Sequence, residues 1–168
     1  YRSVLYPWPI HGVCSMSVSH TDRSWNNVPH RFEAGTPPIA EAIGLGEAAN
    51  SLEEIGLERI AAHEQDATTL LGEALREKEG VSPWIFNEDQ QQSVISFTMD
   101  GVHPHDIAEI ANMHNVALRA GHHCTMPLMK RLGVPATARA SVGLYTEEQD
   151  IEQLRQALRE VKSIFGGY

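Results

Sequence analysis

Apolar residues recur at helical spacing from Ile39 onward. Ile39, Ala42, Ile43, Gly46, Ala49, Leu52 and Ile55 fall on one stripe. Pro37-Pro38 sits ahead of it, where proline is tolerated at a helix start, and Gly56 supplies a stop. A second stripe of Ile60, Ala61, Leu71, Ala74 and Leu75 predicts a helix from about Leu57 to Lys78, ended by Glu79-Gly80. Trp84-Ile85-Phe86 predicts a short strand. The period then changes: Ile95, Phe97 and Met99 alternate with Ser96 and Thr98, as in a half-buried strand. Asp100-Gly101 reads as a turn, and Pro104 opens a helix carrying Ile107, Ile110 and Ala111. Val116-Ala117-Leu118 predicts a short strand, residues 119–126 a loop, and Pro127 to Leu132 a short helix. Ala138 to Tyr145 predicts the next strand. Thr146 and Gln149 form a candidate capping box for a last helix that buries Ile151, Leu154, Leu158, Val161 and Phe165 and ends at Gly166-Gly167.

Residues 1–36 follow no such period. Tyr6-Pro7-Trp8-Pro9 and Asn26-Asn27-Val28-Pro29 are turn material, and only Val13 to Val18 hints at a strand. The expected organisation is an irregular segment over 1–36 and a folded domain over 37–168. In that domain the order helix, helix, strand, strand, helix, strand, strand, helix predicts an α+β fold, a small sheet with helices mainly on one face.

Composition narrows the function classes. The 168 residues are 42% hydrophobic and 21% charged, ordinary for a globular chain. Thirteen Lys and Arg against 22 Asp and Glu give a net charge of −9. That argues against nucleic acid and against anionic membranes as main partners. No apolar run approaches the ~20 residues that cross a bilayer, and no basic-then-apolar leader opens the chain. Two distant cysteines, Cys14 and Cys124, are no disulfide scaffold, so a cytoplasmic protein is expected.

The chemistry concentrates in Arg119-Ala120-Gly121-His122-His123-Cys124. A cysteine beside Arg and His has what a nucleophilic thiolate needs, and Gly121 allows a sharp bend. A small buried cysteine is the plain alternative. Arg139, within Ala138-Arg139-Ala140-Ser141, is an arginine among small strand residues. Its planar fork suits a carboxylate; an ordinary surface salt bridge is the alternative. His103, His105, His114, His122 and His123 invite a metal site with Cys124, but the paired spacing of structural zinc ligands is missing, so no metal is expected. His103-Pro104-His105-Asp106 reads instead as a helix start. Cys14, with only His11 near it, reads as structural. Arg31-Phe32-Glu33-Ala34-Gly35-Thr36-Pro37 leads into a helix whose N–H groups and Thr36 hydroxyl could hold an anion.

Taken together, that last stretch, Arg119-Ala120-Gly121-His122-His123-Cys124, Pro127-Leu128-Met129 and Ala138-Arg139-Ala140-Ser141 resemble SufS-like cysteine desulfurases. These are pyridoxal 5'-phosphate (PLP) enzymes of fold type I in the class-V aminotransferase group. The resemblance covers residues from about 25 to 165. It implies conversion of L-cysteine to L-alanine, with Cys124 keeping the sulfur as a persulfide for transfer to a SUF-type acceptor protein and iron–sulfur cluster assembly. It implies that Arg139 grips the substrate carboxylate with Arg119 assisting, that Gly121, His122 and His123 support the loop, and that Thr36 contacts the cofactor phosphate across a homodimer interface. The family's Schiff-base lysine belongs to a Ser-x-His-Lys motif in a preceding large domain. None of Lys78, Lys130 and Lys162 has that context. The chain is thus expected to be the C-terminal portion of such an enzyme, inactive alone, with residues 1–36 resembling the end of the large domain and the interdomain link. Near residue 12, His11-Gly12-Val13-Cys14-Ser15-Met16 departs from the glycine-rich turn and Met-Ile of the family. A selenocysteine lyase-type relative and a non-catalytic sulfur-relay domain are the alternative readings.

Overall fold

The computed structural model describes residues 15–32, 36–85 and 93–166. Two compact units divide the chain, Tyr1–Glu54 and Ile55–Tyr168. In the first, β1 (Ser15–Val18) and β2 (Arg23–Trp25) pair as an antiparallel hairpin. Its turn is tied by Ser19, whose hydroxyl accepts the Asp22 N–H at 2.9 Å. A 3₁₀ turn follows at His30–Phe32, where Arg31 Nε donates to the Asn26 carbonyl at 3.0 Å. The segment expected to be irregular thus carries a second strand whose partner lies only a turn away. Residues 13 and 14 of the expected first strand lie outside the described residues. The helix α1 (Ile39–Ile55) has the bounds its stripe predicts, yet it buries no side chain: Ile43 is 66% exposed.

The second unit is a four-stranded antiparallel sheet carrying helices. It comprises α2 (Leu57–Arg76), β3 (Val81–Trp84), β4 (Val94–Met99), α3 (Pro104–Met113), β5 (Arg119–Gly121), α4 (Met126–Leu132), β6 (Thr137–Ser141) and α5 (Glu148–Phe165). The strand order is β3-β4-β6-β5. On β4, Ile95, Phe97 and Met99 point into the core, as the alternation requires. They meet Ala138 and Ala140 of β6, Leu71 and Leu75 of α2, Ile107 and Ile110 of α3, and Ile151, Leu154, Leu158 and Val161 of α5. The small residues of β6 let the helices approach the sheet closely. This is the α+β arrangement the sequence predicts, with α2 and α3 packed on the sheet and α5 packed on both of them.

Several boundaries differ from expectation, each for a local reason. The expected Trp84–Phe86 strand instead runs over Val81–Trp84, because Gly80 turns the chain at φ +80° and Val81 falls opposite Met99; Phe86 lies outside the described residues. α2 closes at Arg76, ahead of Lys78. Residues 116–118 form no strand; the strand is β5, whose pairing with β6 takes the first three residues of the expected loop. β6 ends at Ser141, short of Tyr145, where Val142 N–H turns to the Ser93 carbonyl at 2.8 Å. The capping box on α5 uses Glu147 and Asp150 rather than Thr146 and Gln149, since the Thr146 hydroxyl is occupied by the Gly143 N–H at 2.9 Å. Phe165, expected to be buried, is 38% exposed on the last turn.

Candidate active site

The sheet has a second face, and register places the chemistry there. Trp84 is opposite Ser96, Ser96 opposite Arg139, and Arg139 opposite Arg119. Residues directly opposite in antiparallel strands share a face, so one row crosses all four strands and ends in two arginines. Their neighbours on β6, Ala138 and Ala140, point the other way into the core. α4 lies along this face. Between helix and sheet is a cleft of about 270 Å³ lined by Trp84, Ser96, His123, Leu128, Met129 and Arg139, among others. Three buried polar atoms in its lining have no hydrogen-bond partner among the described residues: Trp84 Nε1, His123 Nδ1 and Arg139 Nε. No carboxylate among the described residues pairs with Arg139.

Cys124 lies between two residues of the cleft lining, His123 and Thr125, and is exposed. The chain leaves β5 through Gly121 at φ +124°, a conformation open to glycine. It then passes through two consecutive left-handed residues, His123 at φ +56° and Cys124 at +59°. Non-glycine residues hold such angles only where their surroundings enforce them. Here Cys124 N–H donates to His122 Nδ1 at 3.1 Å, and both the Thr125 N–H and its hydroxyl donate to the His122 carbonyl, at 2.8 and 2.9 Å. The turn lifts the sulfur into solvent while Arg119 Nη2 points a donor at it from 3.8 Å. Cys124 is therefore not a buried structural cysteine, and its loop starts on a strand.

His123 ties the turn to the sheet. Its Nε2 lies 3.1 Å from the Thr137 carbonyl and 2.8 Å from the Thr137 hydroxyl oxygen. A carbonyl only accepts, so Nε2 carries the proton and Nδ1 is the bare nitrogen of the neutral ring. Burial, followed by the Arg139 charge, holds the His123 pKa below its ordinary value; the hydrogen bond to Thr137 opposes this, while Arg119 and His122 add to the depression.

Of the residues singled out in the sequence, Arg119, Gly121, His122, His123, Cys124 and Arg139 come together in the second unit. Thr36 belongs to the first unit, exposed just ahead of α1; residues 33–35 of its stretch, and Cys14, lie outside the described residues. His103 caps α3, accepting the His105 N–H at 3.3 Å. His114 pairs with Glu160 at 2.5 Å. The sequence reading did not single out Thr137, Trp84 or Ser96 as site residues. The signal for them was cross-strand register with Arg139, which exists only once the strands are paired.

The small α+β domain thus presents an exposed thiol beside the Arg119 guanidinium, with Arg139 directly opposite Arg119 on the next strand. The chain belongs to the aminotransferase class-V family, which matches residues 2–154. It is 46% identical over 148 residues to a protein of Staphylococcus aureus named "Probable cysteine desulfurase", and 44% identical to one of the same name from Staphylococcus epidermidis. Each alignment covers 88% of this chain and 36% of the relative, so the chain spans about a third of the length of these relatives. Among solved structures, the cysteine desulfurase CsdA of Escherichia coli superposes with a TM-score of 0.83 at 29% identity. A cysteine desulfurase from Thermococcus onnurineus NA1 does so at 0.79 and 37%. Both cover 95% of this chain, which corresponds to 39% of theirs.

Proposed function

We propose that this chain is the C-terminal part of a PLP-dependent cysteine desulfurase of SufS type, and that Cys124 takes the sulfur of L-cysteine. The carrying observation is the exposed Cys124 sulfur 3.8 Å from Arg119 Nη2, at the end of the strand row that holds Arg139. In the overall change the Cβ–S bond of L-cysteine breaks, an S–S bond to Cys124 Sγ forms, and L-alanine leaves; atoms and electrons balance without an external oxidant. Arg139, its Nε buried and unpartnered, grips the substrate carboxylate through a planar fork. Arg119, opposite Arg139 in register and 3.8 Å from the sulfur, steadies both. The left-handed turn keeps Sγ clear of the sheet, free to meet a substrate and then an acceptor protein. The persulfide passes to a SUF-type acceptor for iron–sulfur cluster assembly in the cytoplasm.

Pyridoxal phosphate supplies the electron sink for such chemistry when bound. The described residues fit only part of its surroundings. The arginines suit the substrate carboxylate, and Thr36 suits the cofactor phosphate in a homodimer. No lysine lines the cleft, and Lys162 is held by Glu79 at 2.6 Å. The amine that holds the cofactor comes from a large domain, of which residues 1–36 would be the end and the link. The test is to replace Cys124 in the complete, PLP-loaded enzyme. Cys124→Ala abolishes sulfur transfer and keeps the cofactor's absorbance; sulfur transfer at the wild-type rate would remove Cys124 from the role.

A further inference from the structure

The Cys124 turn is strained at two residues, and besides the local hydrogen bonds of His122 it is restrained from fourteen positions beyond His123 in sequence. Thr137 is the first residue of β6, fully buried, and opposite Gly121 in register. Its hydroxyl oxygen is 2.8 Å from His123 Nε2 and its carbonyl 3.1 Å from the same atom. Because Nε2–H must serve the carbonyl, the hydroxyl also accepts from it, and the ring is held by two acceptors of one residue. Thr137 and Arg139 are two apart on one strand, so they share a face and lie roughly 7 Å apart along it. One short strand thereby fixes both the arginine and, through the His123 ring, the residue next to Cys124.

We propose that Thr137 is a positioning residue for Cys124: its hydroxyl pins the His123 ring, and through it the left-handed turn that presents the sulfur to Arg119. As far as turnover is concerned, this rests on the desulfurase reading above; the positioning itself is a property of the fold. Thr137→Val keeps the shape and removes the hydroxyl. Thr137→Ser keeps the hydroxyl and removes the methyl. A role in packing makes serine the worse substitution, and a role in positioning makes valine the worse one.

The experiment uses the complete, PLP-loaded enzyme, with two readouts: kcat and KM for alanine formation from L-cysteine, and the rate at which monobromobimane labels Cys124. Thr137→Val should lower kcat about fivefold, the size of one lost neutral hydrogen bond, leave KM within about twofold because Arg139 keeps its strand, and slow labelling. Thr137→Ser should rescue both. Equal behaviour of valine and wild type in both readouts, or a serine variant as impaired as valine, would overturn the proposal. If the wild-type enzyme formed no alanine, the desulfurase reading would fall, and the labelling rates alone would decide the positioning role.

Discussion

At the residue scale, the site places one histidine where it is hard to charge. His123 is partly desolvated and faces Arg139 on β6, Arg119 on β5 and His122 in its own loop. Its folded-state pKa is depressed, so below the ordinary histidine value of about 6.5 the unfolded chain takes up the proton more readily. Stability is therefore unaffected by this group at high pH and declines as pH falls from that value toward the depressed one. Thermal unfolding of the 168-residue chain between about pH 7 and pH 5 should show this decline, and His123→Asn should flatten it. A profile identical in the two proteins would count against the assignment. Arg139 makes a second prediction. Lysine carries the charge but not the fork, so Arg139→Lys in the complete enzyme should raise KM for L-cysteine about tenfold. An unchanged KM would mean that the carboxylate binds elsewhere.

At the element scale, helix α5 closes the core over α2 and α3, and Leu158 is its largest near-fully buried side chain at 1% exposed. Leu158→Ala should lower unfolding stability by about 3 kcal/mol, read from the denaturant midpoint. A loss under about 1 kcal/mol would show that α5 is not integral to the unit. The same elements show how much the chain discloses beforehand. α1 was legible to both ends because its stripe, its leading prolines and Gly56 are local signals. β4 was legible because its alternation is long enough to count. β5 was not: three residues, Arg-Ala-Gly, become a strand only through pairing with β6. The α5 cap was misplaced by one residue because the Thr146 hydroxyl had a nearer donor in Gly143. At the site, Cys124 and the arginines stood out by residue type. Thr137, an unremarkable strand threonine, gains meaning only from a ring fourteen residues away.

At the scale of the whole molecule, the second unit has a complete apolar core, whereas α1 buries none of its side chains. In this chain Ile43→Glu should therefore leave the unfolding midpoint within about 0.5 kcal/mol of wild type; a larger loss would mean that the helix packs in solution. The comparisons place the chain over a little more than a third of proteins named cysteine desulfurase. On the reading proposed above, its own residues supply a nucleophile and carboxylate ligands, no lysine is among the described residues lining the cleft, and they account for one side of an active site. The most direct test of that account is mass spectrometry of the Cys124 peptide from the complete, PLP-loaded enzyme after brief exposure to L-cysteine. The account predicts that this peptide gains the mass of one sulfur atom, removable by reductant, with alanine formed alongside. Alanine formed with the sulfur found on another residue, or on none, would contradict it.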